Sequence, residues 1–90
     1  AVFACNFVNH LFARAKEISD SQQIPFHYFL PLIKETTSKI EKIEPKLAQT
    51  GPAIRNDEKI LQLHEALITE EEHLKIYKAM NESIKKMYEL

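Results

Sequence analysis

The stretch "TGPAIRND", Thr50 to Asp57, gathers in eight positions most of the residue types that could do chemistry here: a hydroxyl, the only glycine, a proline, an arginine and two residues that open helices. An arginine just ahead of a helix N-terminus combines a planar two-pronged donor with free backbone N–H groups. That arrangement suits a carboxylate or a phosphate. The plainer reading is punctuation. Gly51 supplies a left-handed cap that ends one helix, Pro52 prevents its resumption, and Asn56 or Asp57 opens the next. Punctuation leaves Arg55 without a task, so both readings stand.

A second chemical pattern is Glu70-x-x-His73, the i, i+3 spacing that di-iron bundles use. Such bundles need two of these pairs and two further glutamates on facing helices, and the chain holds one copy, so ligand count argues against a metal. His64 and His73 each fall within an apolar stripe, the position of a hydrogen-bonded core or interface histidine, whereas His27 is expected to be exposed. No Ser/His/Asp or Cys/His set assembles, and a single glycine cannot build a phosphate loop. A free-standing enzyme is not expected.

The elements that must carry these residues are helical. Phe3, Ala4, Phe7, Val8, Leu11, Phe12, Ala15 and Ile18 recur at helical spacing, so helix one runs from about residue 2 to 20. Its polar side carries Asn6, Asn9 and His10 first and Arg14, Lys16, Glu17 and Asp20 later. The apolar stripe is broader than one packing partner requires, which leaves part of it for another domain or a second copy. After "SDSQQIP", Pro25 opens helix two, near 26 to 42, with Phe26, Phe29, Ile33, Thr37 and Ile40 as its stripe. Pro45 stops it, and a short turn covers Lys46 to Gln49. Helix three, near 57 to 68, is capped by Asn56 or Asp57. Helix four, near 70 to 88, starts from a capping box of Thr69 and Glu72. No segment alternates with the two-residue period of a strand, so the fold is all-α and residues 1 to 90 form one small domain.

Twelve Lys and Arg against thirteen Asp and Glu give a net charge of −1. With no basic stripe and no interleaved aromatics, nucleic acid is excluded as a partner. The opening run "AVFACNFVNHLFA" is broken by polar residues and is neither a signal peptide nor a membrane span. One cysteine, Cys5, fits a reducing compartment, and the expected location is cytoplasmic. A start at Ala1 rather than Met reads as a fragment of something longer.

"AVFACNFVNHLF" and "LAQTGPAIRNDEKILQLHEAL", with "PLIKETTSKI" between them, resemble the helical C-terminal domain of Rossmann-like NADP oxidoreductases, domain of unknown function 2520. In plan these are similar to ketopantoate reductase, pyrroline-5-carboxylate reductase and the 6-phosphogluconate dehydrogenase superfamily. The resemblance implies an absent N-terminal domain that binds NADP, and a helical domain that dimerises and closes the substrate cleft. It implies Asn6, Thr50 and Arg55 as substrate-binding residues of a small anionic substrate, with His10 a further candidate and Gly51, Pro52 and Asp57 shaping the loop. Asn56 stands where the family commonly has a second glycine, and Asn tolerates left-handed angles. The rival expectation is a helical interaction module that docks through helix one and has no catalytic role.

Overall fold

Helix α1, Phe7–Ser21, is entered through a π-helical turn, Val2–Asn6, in which the amides of both Cys5 and Asn6 point at the Ala1 carbonyl. The computed structural model describes all ninety residues, Ala1–Leu90, and contains no strand. Asn6 keeps right-handed helical angles (φ −68°, ψ −46°), so the wide first turn runs into α1 without a break. Helix α1 ends on Gln23 at φ +59°, with Ile24 N–H bonded to Ser19 O at 2.9 Å and Gln23 N–H to Asp20 O at 3.1 Å. This 6→1 and 5→2 pair satisfies carbonyls that the helix end leaves open.

Pro25 is extended, and a 3₁₀ turn, Phe26–Phe29, leads into α2, Leu30–Lys39. Pro31 falls in the first turn of α2, where its missing N–H has no helical partner to lose. Helix α2 stops at Lys39, three residues short of the expected Lys42. The hydroxyls of Thr36, Thr37 and Ser38 all bond back to carbonyls three or four residues earlier, a competition that weakens a helix interior. Turn bonds from Glu41 and Lys42 then carry the chain to an extended Glu44 ahead of Pro45, as the ring of a following proline demands.

The chain divides into two compact units, Ala1–Ile43 and Glu44–Leu90. The second contains the short helix α3 (Pro45–Ala48), then α4 (Glu58–Leu67) and α5 (Glu71–Met87). Helices α4 and α5 are an antiparallel pair, because Glu58 at the start of α4 pairs with Lys85 near the end of α5, and Glu65 lies 3.6 Å from Lys78 in the middle. Between them His64 Nδ1 and the Tyr77 hydroxyl share a 2.7 Å hydrogen bond, and Leu61 and His73 are buried. The histidines of the apolar stripes are therefore hydrogen-bonded or interior, as their positions predicted. Tyr88 closes the unit by donating its hydroxyl to Lys46 O of α3.

Two local expectations need correction. Helix α5 is capped by Glu70 rather than Thr69: the glutamate carboxylate reaches the amides of both Glu72 and His73 at 3.1 Å, which the shorter threonine hydroxyl one residue earlier does not do. Gly51 is not the residue that ends α3. That helix ends at an extended Gln49 (ψ 131°), and Gly51 follows two positions later.

Candidate functional site

The segment Gly51–Asp57 is a wound turn held by its own backbone. Gly51 sits at φ +100°, and Pro52 to Asn56 form a helical turn closed by Asp57 N–H to Pro52 O at 2.9 Å and Asn56 N–H to Ala53 O at 3.0 Å. Asn56 is left-handed at φ +53°. This is the same 6→1, 5→2 closure found at Gln23 and again at the C-terminus of α5, where Glu89 is at φ +56°. All three closures dispense with glycine because residues at φ near +55° stay within the small left-handed region open to L side chains. The +100° of Gly51 lies outside it. The one glycine thus occupies the one positive-φ position that no other residue of the chain could adopt without strain.

Ala53 anchors this turn with only 2% of its surface exposed, while Arg55 two residues later is exposed. Asp57 then caps α4, its Oδ1 accepting from Ile60 N at 3.3 Å. Of the two candidate caps, Asp57 takes the role and Asn56 makes the turn. Thr50 is exposed at the turn's entry, and its carbonyl accepts from Gln49 Nε2 at 2.9 Å. Arg55 pairs with no carboxylate of the chain, in contrast to Arg14, the other arginine, which lies 4.0 Å from Glu17. An exposed guanidinium on a closed turn, two residues before the cap of a ten-residue helix, has its fork available to an anion.

The other candidates lie on the first unit. Asn6, the residue before α1, and His10, both exposed, are one helical turn apart and so share a face at the start of α1. His10 Nε2 accepts from Arg14 Nε at 3.3 Å, which leaves Nδ1 as the donor nitrogen of a neutral ring. Arg14 was not singled out as a site residue in the sequence, though its i, i+4 spacing from His10 was the available signal. Asn6, His10 and Arg14 therefore form a polar stripe on α1. Thr50, Gly51, Pro52, Arg55 and Asp57 form a second cluster on the loop of the other unit.

Glu70 and His73 are joined through capping: the Glu70 carboxylate accepts from His73 N–H and lies 3.4 Å from His73 Nδ1. No three His, Cys, Asp or Glu side chains gather as a metal-ligand group. No helix is long and apolar enough to cross a membrane.

The family profile described as domain of unknown function (DUF2520) matches residues 1–84. The chain belongs to the DUF2520 family. The fold is also that of part of a crystal structure from Bacteroides fragilis, described as a "putative NADP oxidoreductase". The two share a TM-score of 0.90 and 42% sequence identity, over 94% of this chain and 33% of that one. The DUF2520 chain thus spans about a third of that protein's length. No curated protein matches it. A dinucleotide does not fit the residues present: a pyrophosphate cradle is built from a strand, a glycine-rich turn and a helix N-terminus, and these ninety residues have no strand and one glycine.

Proposed function

We propose that this DUF2520 domain is the dimerisation and substrate-cleft domain of an NAD(P)-dependent oxidoreductase acting on a small anionic substrate in a reducing, cytoplasmic compartment. The observation that carries the reading is the 42% identity, at a TM-score of 0.90, to a protein described as a "putative NADP oxidoreductase" of which the chain matches one third. A likeness that high over 94% of the chain favours a shared role for the domain over a shared helical scaffold alone. The NADP site then belongs to an N-terminal Rossmann-like domain outside these ninety residues, and this domain supplies groups that bind and orient the substrate.

Arg55 is the anion-binding group, offering two parallel N–H donors from a turn whose backbone is already ordered, so little freedom is lost on binding. Thr50 adds a hydroxyl at the other end of the same turn. Asn6 and His10 supply an amide and an imidazole from α1, the imidazole held by Arg14. Gly51 and Pro52 shape the turn, and Asp57 fixes where α4 begins.

The test uses the full-length protein that contains the domain and follows NADPH oxidation against small carboxylates and phosphate esters. Arg55→Ala is expected to lower kcat/KM for the preferred anion by a factor of about 30 or more, the scale of a lost charge-assisted pair, with an unchanged melting temperature. Arg55→Ala that unfolds the domain while leaving turnover intact makes the arginine a structural clamp and ends this assignment. A full-length protein with no dinucleotide-binding domain and no NADPH oxidation ends the oxidoreductase reading and leaves the interaction module.

A further inference from the structure

The first unit carries two apolar features side by side on α1 and the π turn that leads into it. One is a ridge: Phe3, Phe7 and Leu11 follow one another at i, i+4 and are 84%, 51% and 37% exposed, with the two phenylalanine rings in edge-to-face contact at 5.1 Å. The other is a trough of about 480 Å³ between α1 and the segment that runs through the 3₁₀ turn into α2, walled by Val8, Phe12 and Ala15 on one side and by Phe29, Leu32 and Ile33 on the other. No charged residue lines it. Arg14, Lys16, Glu17 and Asp20 of α1 all lie outside the trough wall.

We propose that the occupant of the trough is the Phe3, Phe7 and Leu11 ridge of a second copy of this chain, in a reciprocal two-fold pair. The inference rests on the dimer clause of the proposed function and specifies the face. An occupant must bring a charge-free row of large side chains about two turns long, and the chain itself carries such a row beside the trough. Pairing α1 against α1 about a two-fold axis sets each ridge opposite the other's trough, so one operation covers all four apolar surfaces. An unrelated helix in the trough leaves the ridge in water.

The area is sufficient. Scaled by their exposed fractions, the ridge, its neighbour Val2 and the trough's Ile18, Ile24 and Leu32 offer roughly 700 Å² per copy, so a pair buries about 1,400 Å², within the range of stable specific interfaces.

Sedimentation equilibrium of the ninety-residue chain tests this. The wild type is expected to be a dimer. Phe3→Ser with Phe7→Ser removes the ridge, and Leu32→Glu, at a side chain 60% exposed, puts a charge in the trough. Each variant is expected to weaken self-association by roughly 100-fold, with the helical circular dichroism retained. If the double variant loses helix, Phe3→Ser alone, at the most exposed of these positions, carries the ridge test.

The decisive measurement mixes the two variants. The intact ridge of the Leu32→Glu copy meets the intact trough of the other, so the mixed pair forms more tightly than either variant with itself. A mixed pair no tighter than the variants alone overturns the reciprocal arrangement. A wild-type dimer that neither variant weakens overturns the proposal and leaves the dimer clause standing. A wild type monomeric at millimolar concentration overturns both, while the cleft reading is still decided by Arg55→Ala turnover.

Discussion

The loop from Gly51 to Asp57 and the α1 surface of the first unit each present groups for contact, by opposite means. The loop is ordered by backbone: two closing hydrogen bonds, a buried Ala53 and the Asp57 cap hold Arg55 outward before any partner arrives. The α1 surface is ordered only as a helix, with Phe7, Leu11 and Ile18 and, in its entry turn, Phe3 left exposed. Of the four residues that are buried in the chain, Ala53, Leu61 and His73 are in the second unit and only Ser19 is in the first. Preorganised polar groups suit selective binding of a small molecule, whereas uncovered aliphatic and aromatic area suits association with a large surface. The second unit therefore presents a finished turn, and the first an unfinished core.

That contrast is open to direct challenge by substitution. Its strongest consequence is that interior truncation should hurt the second unit and not the first. Leu61, 4% exposed against α5, is expected to cost about 2 to 4 kcal/mol when changed to Ala, by lost contacts and the void left behind. Phe3→Ala, at 84% exposure, is expected to leave the denaturant midpoint of the monomer nearly unchanged. Comparable losses from both in urea titrations would mean that the ridge is already part of a core, and the contrast between the two units would fail.

Gly51→Val is expected to cost roughly 1 to 3 kcal/mol, because a β-branched residue resists φ +100°. A Cβ there meets no atom within 4 Å, so the penalty is conformational and not steric. Gly51→Ala should show the backbone part of it without the branching. If both substitutions leave the melting temperature unmoved, the turn is not held by its glycine.

A smaller effect, about 1 kcal/mol or less, is expected for Asp57→Ala, since the cap bond is long at 3.3 Å. Asp57→Asn and Asp57→Ser should recover most of the loss in thermal melts, and their failure to do so would assign the aspartate a role beyond capping.

The smallest change should be a gain. Gln23 holds a left-handed cap at φ +59° without being glycine, so Gln23→Gly is expected to stabilise by a few tenths of a kcal/mol up to about 1 kcal/mol, the relief of strain set against the extra freedom of the unfolded chain. A loss of stability would show that the Gln23 side chain contributes contacts outweighing that strain.

Much of this architecture was legible in local order. Pro25, Pro31 and Pro45 act where their missing N–H costs nothing, and the i, i+4 stripes placed each long helix to within about three residues once the π turn at Val2–Asn6 and the 3₁₀ turn at Phe26–Phe29 are counted with α1 and α2, which as α-helices start five and four residues later than expected. Helix propensity and proline geometry are settled by a few neighbouring residues, which is why they can be read without a structure. The Arg55 loop was legible in kind, because an arginine ahead of a helix start is a local pattern too. Its closure at Asn56 was not, since the bond from Asp57 N–H to Pro52 O depends on angles at residues whose types allow several turns.

By itself, the sequence determined that the chain is helical, where its helices break, and that α1 carries more apolar surface than one neighbour could cover. Only the tertiary structure decided which side chains meet across the chain. It paired His64 with Tyr77 and Glu58 with Lys85, left Phe3 in water, and gave φ +100° to the single glycine and φ near +55° to Gln23, Asn56 and Glu89. The reason is physical. Periodicity assigns a residue to a face, but burial and hydrogen bonding depend on what that face packs against, and such partners come from distant parts of the chain or from another chain.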